Sequence, residues 1–450
     1  MKKLASFMLL ILVLVIAGCS GNGEKTKDKS DGADGADATV SVGDDIEGAT
    51  ELSFWTFNEQ HMDIFEESAK KWNEENPEQA IKLNAQTYPF DQMHNNLSLA
   101  LQSGKGAPDI ADIEIRQFAN FLKGDVQLEP MNEYVEPELD KVIKERFDLY
   151  AKDDQYYGLP YHVGATVMYY NQEIMDEAGV DIDSIETWDD YIEAGKQVVE
   201  KTGKTMTTVE STEQFTLFPL ISQRESNYFD ENGEIILDNE VNVETLQFVQ
   251  DLIYKHEIAE TAPGGKHHAE EYYGFMNDGG AASVMMPIWY MGRFLDYMPD
   301  LEGKMQIRPL PRWEEGGNRS AGIGGTGTVV TNQSADTELA KEFLAYTKLT
   351  EEANINLWTV LGFDPPRFDV WDKEEMRADN KYYSYFHDGI FDMLLDIKDE
   401  IAPIYYTADY PNAQNEIESN VLFNVIMNKN KTPQEALSEA AKAVKSKQVK

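Results

Sequence analysis

Near its start the chain alternates two periodicities, and that alternation constrains the fold more than any other feature. Residues 51–57, ELSFWTF, read as a strand. The run after it places Ile64, Phe65, Ala69 and Trp72 on one face of a helix from about Met62, which Asn76-Pro77 ends. A second strand over 81–88 and a second helix over 92–102 follow, the helix turning Met93, Leu97, Ala100 and Leu101 inward. A third strand lies in APDIADI, residues 107–113. Strands separated by helices return in the same direction, so the pattern implies an α/β fold with a mainly parallel sheet flanked by helices. Further on, Thr187 with Asp190 marks a capped helix start, and Thr432-Pro433-Gln434-Glu435 reads as a capping box with proline in the first turn.

A second stretch, YYGFMNDGGAASVMMPIWYMGRF at 272–294, points to a binding edge. A short helix should stop at Asp278-Gly279-Gly280, and small residues from Ala281 should form a buried strand that Pro287 ends. Trp289 and Tyr290 would then stand in a loop at the carboxyl end of a strand, where open α/β sheets bind ligands. Flat apolar faces with polar rims suit a sugar ring. Core packing is the other reading of both rings.

At 450 residues and 42% hydrophobic, the chain has enough apolar material for two ordinary domains, each with its own core. Residues 1–18 stand apart: Lys2-Lys3 precede an apolar run too short to span a membrane but suited to a signal peptide. Ile16-Ala17-Gly18-Cys19 contains the chain's one cysteine and resembles the lipobox of bacterial lipoproteins. That resemblance implies acylation of Cys19 and anchoring to the extracellular face of the cell membrane. Residues 19–49 read as a flexible tether. The formal net charge of −42 becomes more negative once Lys2 and Lys3 leave, which argues against nucleic acid as a partner. The glycine-rich GIGGTGTVV, residues 322–330, lacks the lysine of a P-loop, so its glycines are expected to admit a close backbone or a bend.

Taken in order, these landmarks resemble the family-1 extracellular solute-binding proteins of ABC sugar importers. They are the lipobox, Trp55 on the first strand, APDI at 107–110, YGLP at 157–160, GGAASVMMPIWY, GGTGTVV before ELAKEFLAY, and TPQEAL at 432–437. Within that family FWTFNEQH, EEYYGFMNDGGAASVMMPIWYMGRFLDYMPDL at 270–301 and LGFDPPRFDVW are similar to binders of arabinose and arabino-oligosaccharides. The resemblance implies a two-lobed, type II periplasmic-binding-protein-like fold with a ligand cleft between the lobes. Lobe 1 would be 50–161 plus 328–364, lobe 2 would be 164–306 plus 370–450, and hinge crossings would lie near 162–165, 322–327 and 365–367. It further implies a monomer without cofactor that is not an enzyme. It would capture a neutral sugar by lobe closure and deliver it to permease membrane subunits and their ATPase.

The candidate ligand-binding residues are Trp55, Asn58, Glu59, Tyr88, Asp112 and Glu114 at the ends of the first strands, and His162 and Gly164 at the first crossing. Trp289 and Tyr290 follow, then Gly325, Thr326 and Arg367 at the other crossings, with Tyr405 and Tyr406 as weaker candidates. Arg367 could instead pair with Asp364 or Asp369. Two rival readings are carried. A secreted glycoside hydrolase would need two cleft carboxylates roughly 5–9 Å apart. A metal-binding lipoprotein would use His267 and His268 with Glu270 and Glu271, although PGGKHHAEE reads as a solvated loop.

Overall fold

A computed structural model describes residues 38–387 and 389–448; the leader, Cys19 and the first part of the tether lie outside them. In chain order the strands are β1 (Ala38–Val42), β2 (Thr50–Thr56), β3 (Ile81–Thr87), β4 (Ile110–Glu114), β5 (Ala151–Lys152), β6 (Gln155–Tyr156), β7 (Gly158–Pro160) and β8 (Thr166–Asn171). They continue as β9 (Thr207–Val209), β10 (Ala259–Thr261), β11 (Ser283–Pro287), β12 (Met305–Pro309), β13 (Ser320–Ala321), β14 (Thr326–Val330) and β15 (Ile401–Ala402).

The first sheet has the order β1-β3-β2-β4-β14-β7. Strand β2 runs parallel to β3 and β4, whereas β14 is antiparallel to β4 and to β7. So β3, β2, β4 and β7 point one way, with β14 and the edge strand β1 opposed. In the second lobe β8 is antiparallel to both β11 and β12, and β9 is parallel to β10. One parallel bridge, Thr205 to Ala281, joins that pair to β11. The second order is therefore β10-β9-β11-β8-β12, with β8 reversed. Both lobes thus share one plan: four co-directional strands with a reversed strand in fourth place. The reversed strands, β8 and β14, are those that begin at an interlobe crossing. A strand entering a sheet where the parallel strands end must run against them.

Helices cover the sheets as the periodicity indicates. Glu59–Glu75 buries Met62, Ile64, Phe65, Ala69 and Trp72, and Phe65 stacks on Phe54 of β2 at 4.0 Å between centroids. It starts earlier than its apolar pattern shows because the Asn58 side chain accepts from the Gln60 N–H and caps it. Both sequence-read capping boxes form, at Thr187 and at Thr432. One expectation changes. Residues 38–42, read as tether, pair antiparallel with β3 from Ala38–Thr87 to Val42–Leu83. Val40 and Val42 alternate with Thr39 and Ser41, which fits a sheet edge that local composition does not reveal.

Three chain segments cross between the lobes at one place. The buried Asp364 carboxylate accepts the Gly164 N–H at 3.0 Å and the Ala165 N–H at 2.8 Å, while its backbone carbonyl accepts the Val163 N–H at 2.9 Å. The third segment joins through Ile323 N–H to Gly164 O at 3.0 Å. Gly164 has φ +79°, and a Cβ there would lie 2.5 Å from Ile323 O, so the crossing tolerates only glycine. Burial pushes the Asp364 carboxyl up to about 6 against the pull of those N–H groups. Asp364→Ala would strand both donors in a buried site and is expected to lower unfolding stability by roughly 2–4 kcal/mol. The urea midpoint of the variant measures this; an unchanged midpoint would mean the contact carries no load.

Candidate functional site

The carboxyl ends of the parallel strands of both lobes open onto one cleft of about 770 Å³. From lobe 1, the loop after β2 brings Phe57, Asn58 and Glu59, the loop after β3 brings Tyr88 and Phe90, and β4 ends at Glu114 with Arg116 beyond it. The floor is crossing backbone and side chains: His162, Gly324, Gly325, Thr326 and Phe363. From lobe 2 come Glu213 and Phe215 after β9, His268 after β10, and Trp289 after β11.

Local geometry explains why Trp289 faces the cleft and its neighbours do not. Pro287 ends β11, and Ile288–Tyr290 turn as a 3₁₀ segment before the helix Met291–Tyr297. Ile288 and Tyr290 point inward and are fully buried, which leaves Trp289 outward. Its indole meets Phe215 edge-on at 5.8 Å and His268 at 5.8 Å. Its Nε1 would lie 3.5 Å from a Cβ on Gly324, so the ring also approaches the crossing.

The cleft's charged groups are largely answered by one another. Arg116 Nε donates to Glu114 Oε1 at 2.7 Å, and the Arg116 N–H donates to Glu114 Oε2 at 2.9 Å. Burial raises the Glu114 carboxyl despite that guanidinium. Burial pushes Glu418 up to about 7, and it accepts from Gln414 Nε2 at 2.8 Å. Arg293 Nε donates to His268 Nε2 at 2.9 Å. Burial first, then the Arg293 and Lys266 charges, hold His268 neutral with its pKa down at about 3. Across the mouth, Gln60 Nε2 donates to Asp296 Oδ2 at 3.3 Å, tying the helix Glu59–Glu75 to the helix Met291–Tyr297.

Of the residues singled out from sequence, Asn58, Glu59, Tyr88, Glu114, His162, Trp289, Gly325 and Thr326 stand on the cleft wall. The others do not. Trp55 packs edge-to-face on Tyr88 at 5.2 Å among the side chains beneath β4, because strand alternation turns it away from Phe54's side. Asp112 is fully buried, accepting Thr56 Oγ1 and Thr328 Oγ1 at 2.7 Å each. Gly164 belongs to the crossing described above. Tyr290 donates its phenol to His267 O at 2.6 Å inside lobe 2. Arg367 faces elsewhere: it grips Asp369 with two nitrogens at 2.7 and 2.9 Å and also pairs with Glu138. Tyr405 caps the Phe229 carbonyl, and Tyr406 packs on Phe218 and Tyr410. Cys19 lies outside the described residues.

Sequence reasoning missed Phe57, His61, Phe90, Arg116, Glu213, Phe215, Arg293 and Glu418. Phe57 and His61 lie in FWTFNEQH and Arg293 in the run ending at Phe294, the others lie in none of the quoted motifs, and the strand-end rule could have found Phe57 and Arg116. It also misread residues 263–271. His267 is buried, its Nε2 on Thr208 Oγ1 at 2.9 Å and its N–H donating to Glu210 Oε1 at 2.9 Å, whereas Glu270 and Glu271 are exposed. Consecutive side chains point apart, so the four residues do not converge. Among the described residues no group of three or more His, Cys, Asp or Glu side chains could hold a metal ion.

Residues 58–353 match the family described as bacterial extracellular solute-binding protein. The chain belongs to that family. It is 62% identical over 411 residues to the arabinooligosaccharide-binding protein of Halalkalibacterium halodurans, covering 91% of this chain and 92% of the relative. It is 52% identical over 443 residues to the arabinooligosaccharide-binding protein of Bacillus subtilis, covering 98% of both. Two solved structures share the two-lobed fold. The GacH receptor of Streptomyces glaucescens has a TM-score of 0.72 at 18% identity, with 89% of this chain and 98% of that chain covered. The ABC transporter associated binding protein of B. animalis subsp. lactis has a TM-score of 0.72 at 21%, with the same coverage.

Beside this cleft, Glu210 ties the loop carrying Phe215 to the loop carrying His268. It accepts from Thr216 N–H at 3.2 Å as well as from His267 N–H. Burial, then the Glu213 charge, pushes its carboxyl from 4.5 up to about 8. Between those values the folded protein holds a proton that the unfolded chain has released. This contribution is complete below pH 4.5 and lost as pH rises through about 8. Glu210→Gln is therefore expected to flatten the parent's decline in urea midpoint from about pH 5 to about pH 8.5. Parallel declines in parent and variant would refute this assignment.

Proposed function

We propose that this solute-binding protein captures arabino-oligosaccharides in the cleft and delivers them to the membrane subunits of an ABC importer. The single observation carrying the ligand class is the pairing of an aromatic wall, Trp289 with Phe215, with charged groups already engaged by protein partners. An anionic solute would face five wall carboxyls, Glu59, Glu114, Glu213, Asp296 and Glu418, against two guanidiniums, of which Arg116 already pairs with Glu114. A hydroxyl-rich neutral ring with apolar C–H faces needs an aromatic platform and neutral or paired hydrogen-bonding groups. The names of the two relatives with near-complete coverage supply the sugar.

Closure of the two lobes over the sugar would create the form a permease recognises, since contacts to both lobes favour the closed state. No helix among the described residues is long and apolar enough to cross a membrane. Attachment is assigned to acylated Cys19, with the residues up to β1 as tether and the monomer as working unit. Hydrolysis is not part of this reading: Glu114 is held by Arg116 and by backbone, and the relatives are named as binding proteins. Release of monosaccharide on incubation with arabinotriose would overturn that.

Calorimetric titration tests the ligand. Arabinobiose and arabinotriose are expected to bind and maltose is not; heat from maltose alone would sink the assignment. Trp289→Ala is expected to weaken arabinotriose binding by roughly 10- to 100-fold, the loss of a stacked aromatic face plus its burial. Small-angle scattering of the parent should show a more compact particle with arabinotriose than without.

A further inference from the structure

Beneath the lobe-1 wall lies a polar assembly that the ligand reading above does not use. His61, on the first turn of the helix Glu59–Glu75, lines the cleft, and its Nδ1 stands 2.8 Å from Asp112 Oδ2. The same carboxylate accepts Thr56 Oγ1 and Thr328 Oγ1 at 2.7 Å and Tyr161 OH at 3.4 Å. These partners are donors, and a carboxylate has no hydrogen to give. His61 must therefore carry its hydrogen on Nδ1, which leaves Nε2 as a bare acceptor.

The plane of the ring is set by its neighbours. It stacks on Tyr161 at 3.8 Å and 17°. The buried Lys348 Nζ lies 2.7 Å from the centroid of the same Tyr161 ring, and at that distance only the opposite face has room for it. Phe363 closes another side edge-on at 6.1 Å. Burial lowers the His61 pKa, with the Lys348 and Arg293 charges adding to that and Asp112 opposing it, so the imidazole stays neutral. A neutral ring with one nitrogen consumed by the protein has a single polar atom left for the cleft.

We propose that His61 Nε2 is a specificity-determining acceptor for one sugar hydroxyl, and that Asp112 acts through His61 as a positioning residue rather than touching the ligand itself. This rests on the saccharide reading of the cleft. Asp112 plays the part that sequence position assigns to a sugar contact, but one residue removed. A site built around a fixed acceptor also discriminates: a ligand whose hydroxyl is replaced by O-methyl leaves a lone pair among aromatic rings with nothing to bind.

The test combines calorimetry with arabinotriose and ¹⁵N-histidine NMR on the mature protein. In the parent the His61 signature should be the Nδ1–H tautomer, and arabinotriose should shift the bare Nε2 resonance. His61→Phe is expected to weaken binding roughly 5- to 30-fold, the range of one lost or unpaired hydrogen bond. His61→Gln, whose amide oxygen can accept, should recover most of that. Asp112→Asn should weaken binding and move hydrogen onto Nε2, a spectral change that loss of packing alone would not produce. An Nε2–H tautomer in the parent overturns the inference, as does His61→Phe binding arabinotriose as tightly as a parent that binds it. Should His61→Phe fail to fold, the parent spectrum and Asp112→Asn decide. A parent that binds neither arabinose nor its oligosaccharides instead sinks the ligand reading, and this inference with it.

Discussion

The Asp364 carboxylate is the constraint on which the rest of the molecule depends. It accepts consecutive N–H groups from Gly164 and Ala165, and its own backbone holds Val163. Two chain crossings are thereby tied together, and the third joins them through Ile323 N–H to Gly164 O, at the edge where the parallel strands of both lobes end. The reversed strands β8 and β14 follow from the same geometry, because each starts at that point and runs away from it. Buried backbone donors require partners, and here one side chain supplies two of them. A flexible connection would leave the lobes uncoupled; this one keeps the cleft floor in a defined place.

The cleft inherits its chemistry from that placement. The strands that end at the cleft deliver loops, and both lobes contribute rings and charged groups to its wall. Burial shifts the titrating groups toward their neutral forms: Glu418 rises to about 7 and His268 falls to about 3. Of the guanidiniums, Arg116 pairs with Glu114, and Arg293 gives its Nε to the neutral His268. The acidity of the chain governs solubility, while the site presents flat apolar faces and oriented hydrogen-bonding groups.

Much of the fold was legible because it is encoded locally. The alternation of strand and helix over residues 51–113, the capping boxes at Thr187 and Thr432, and the proline that ends β11 all act within a few residues. The strand-end rule also brought Asn58, Tyr88, Glu114 and Trp289 to the correct edge. It could not separate those from Asp112 and Trp55. Position along a strand says which end a residue occupies, whereas the side it faces depends on which sheet face a distant helix covers. Arg367 shows both sides: the pairing with Asp369 offered by the sequence forms, whereas its other partner, Glu138, is more than two hundred residues away in the chain.

The sequence by itself determined most of the elements, the α/β class, the family resemblance and the two candidate rings after Pro287, since periodicity, caps and turn residues act through near neighbours. Only the tertiary structure decided that the β1 segment joins a sheet edge, that His267 is buried and His268 faces the cleft, and that Asp112 meets His61 instead of solvent. Those outcomes are set by which distant surfaces close over a side chain and remove its water. No local pattern carries that information, because burial is a property of the assembled lobes.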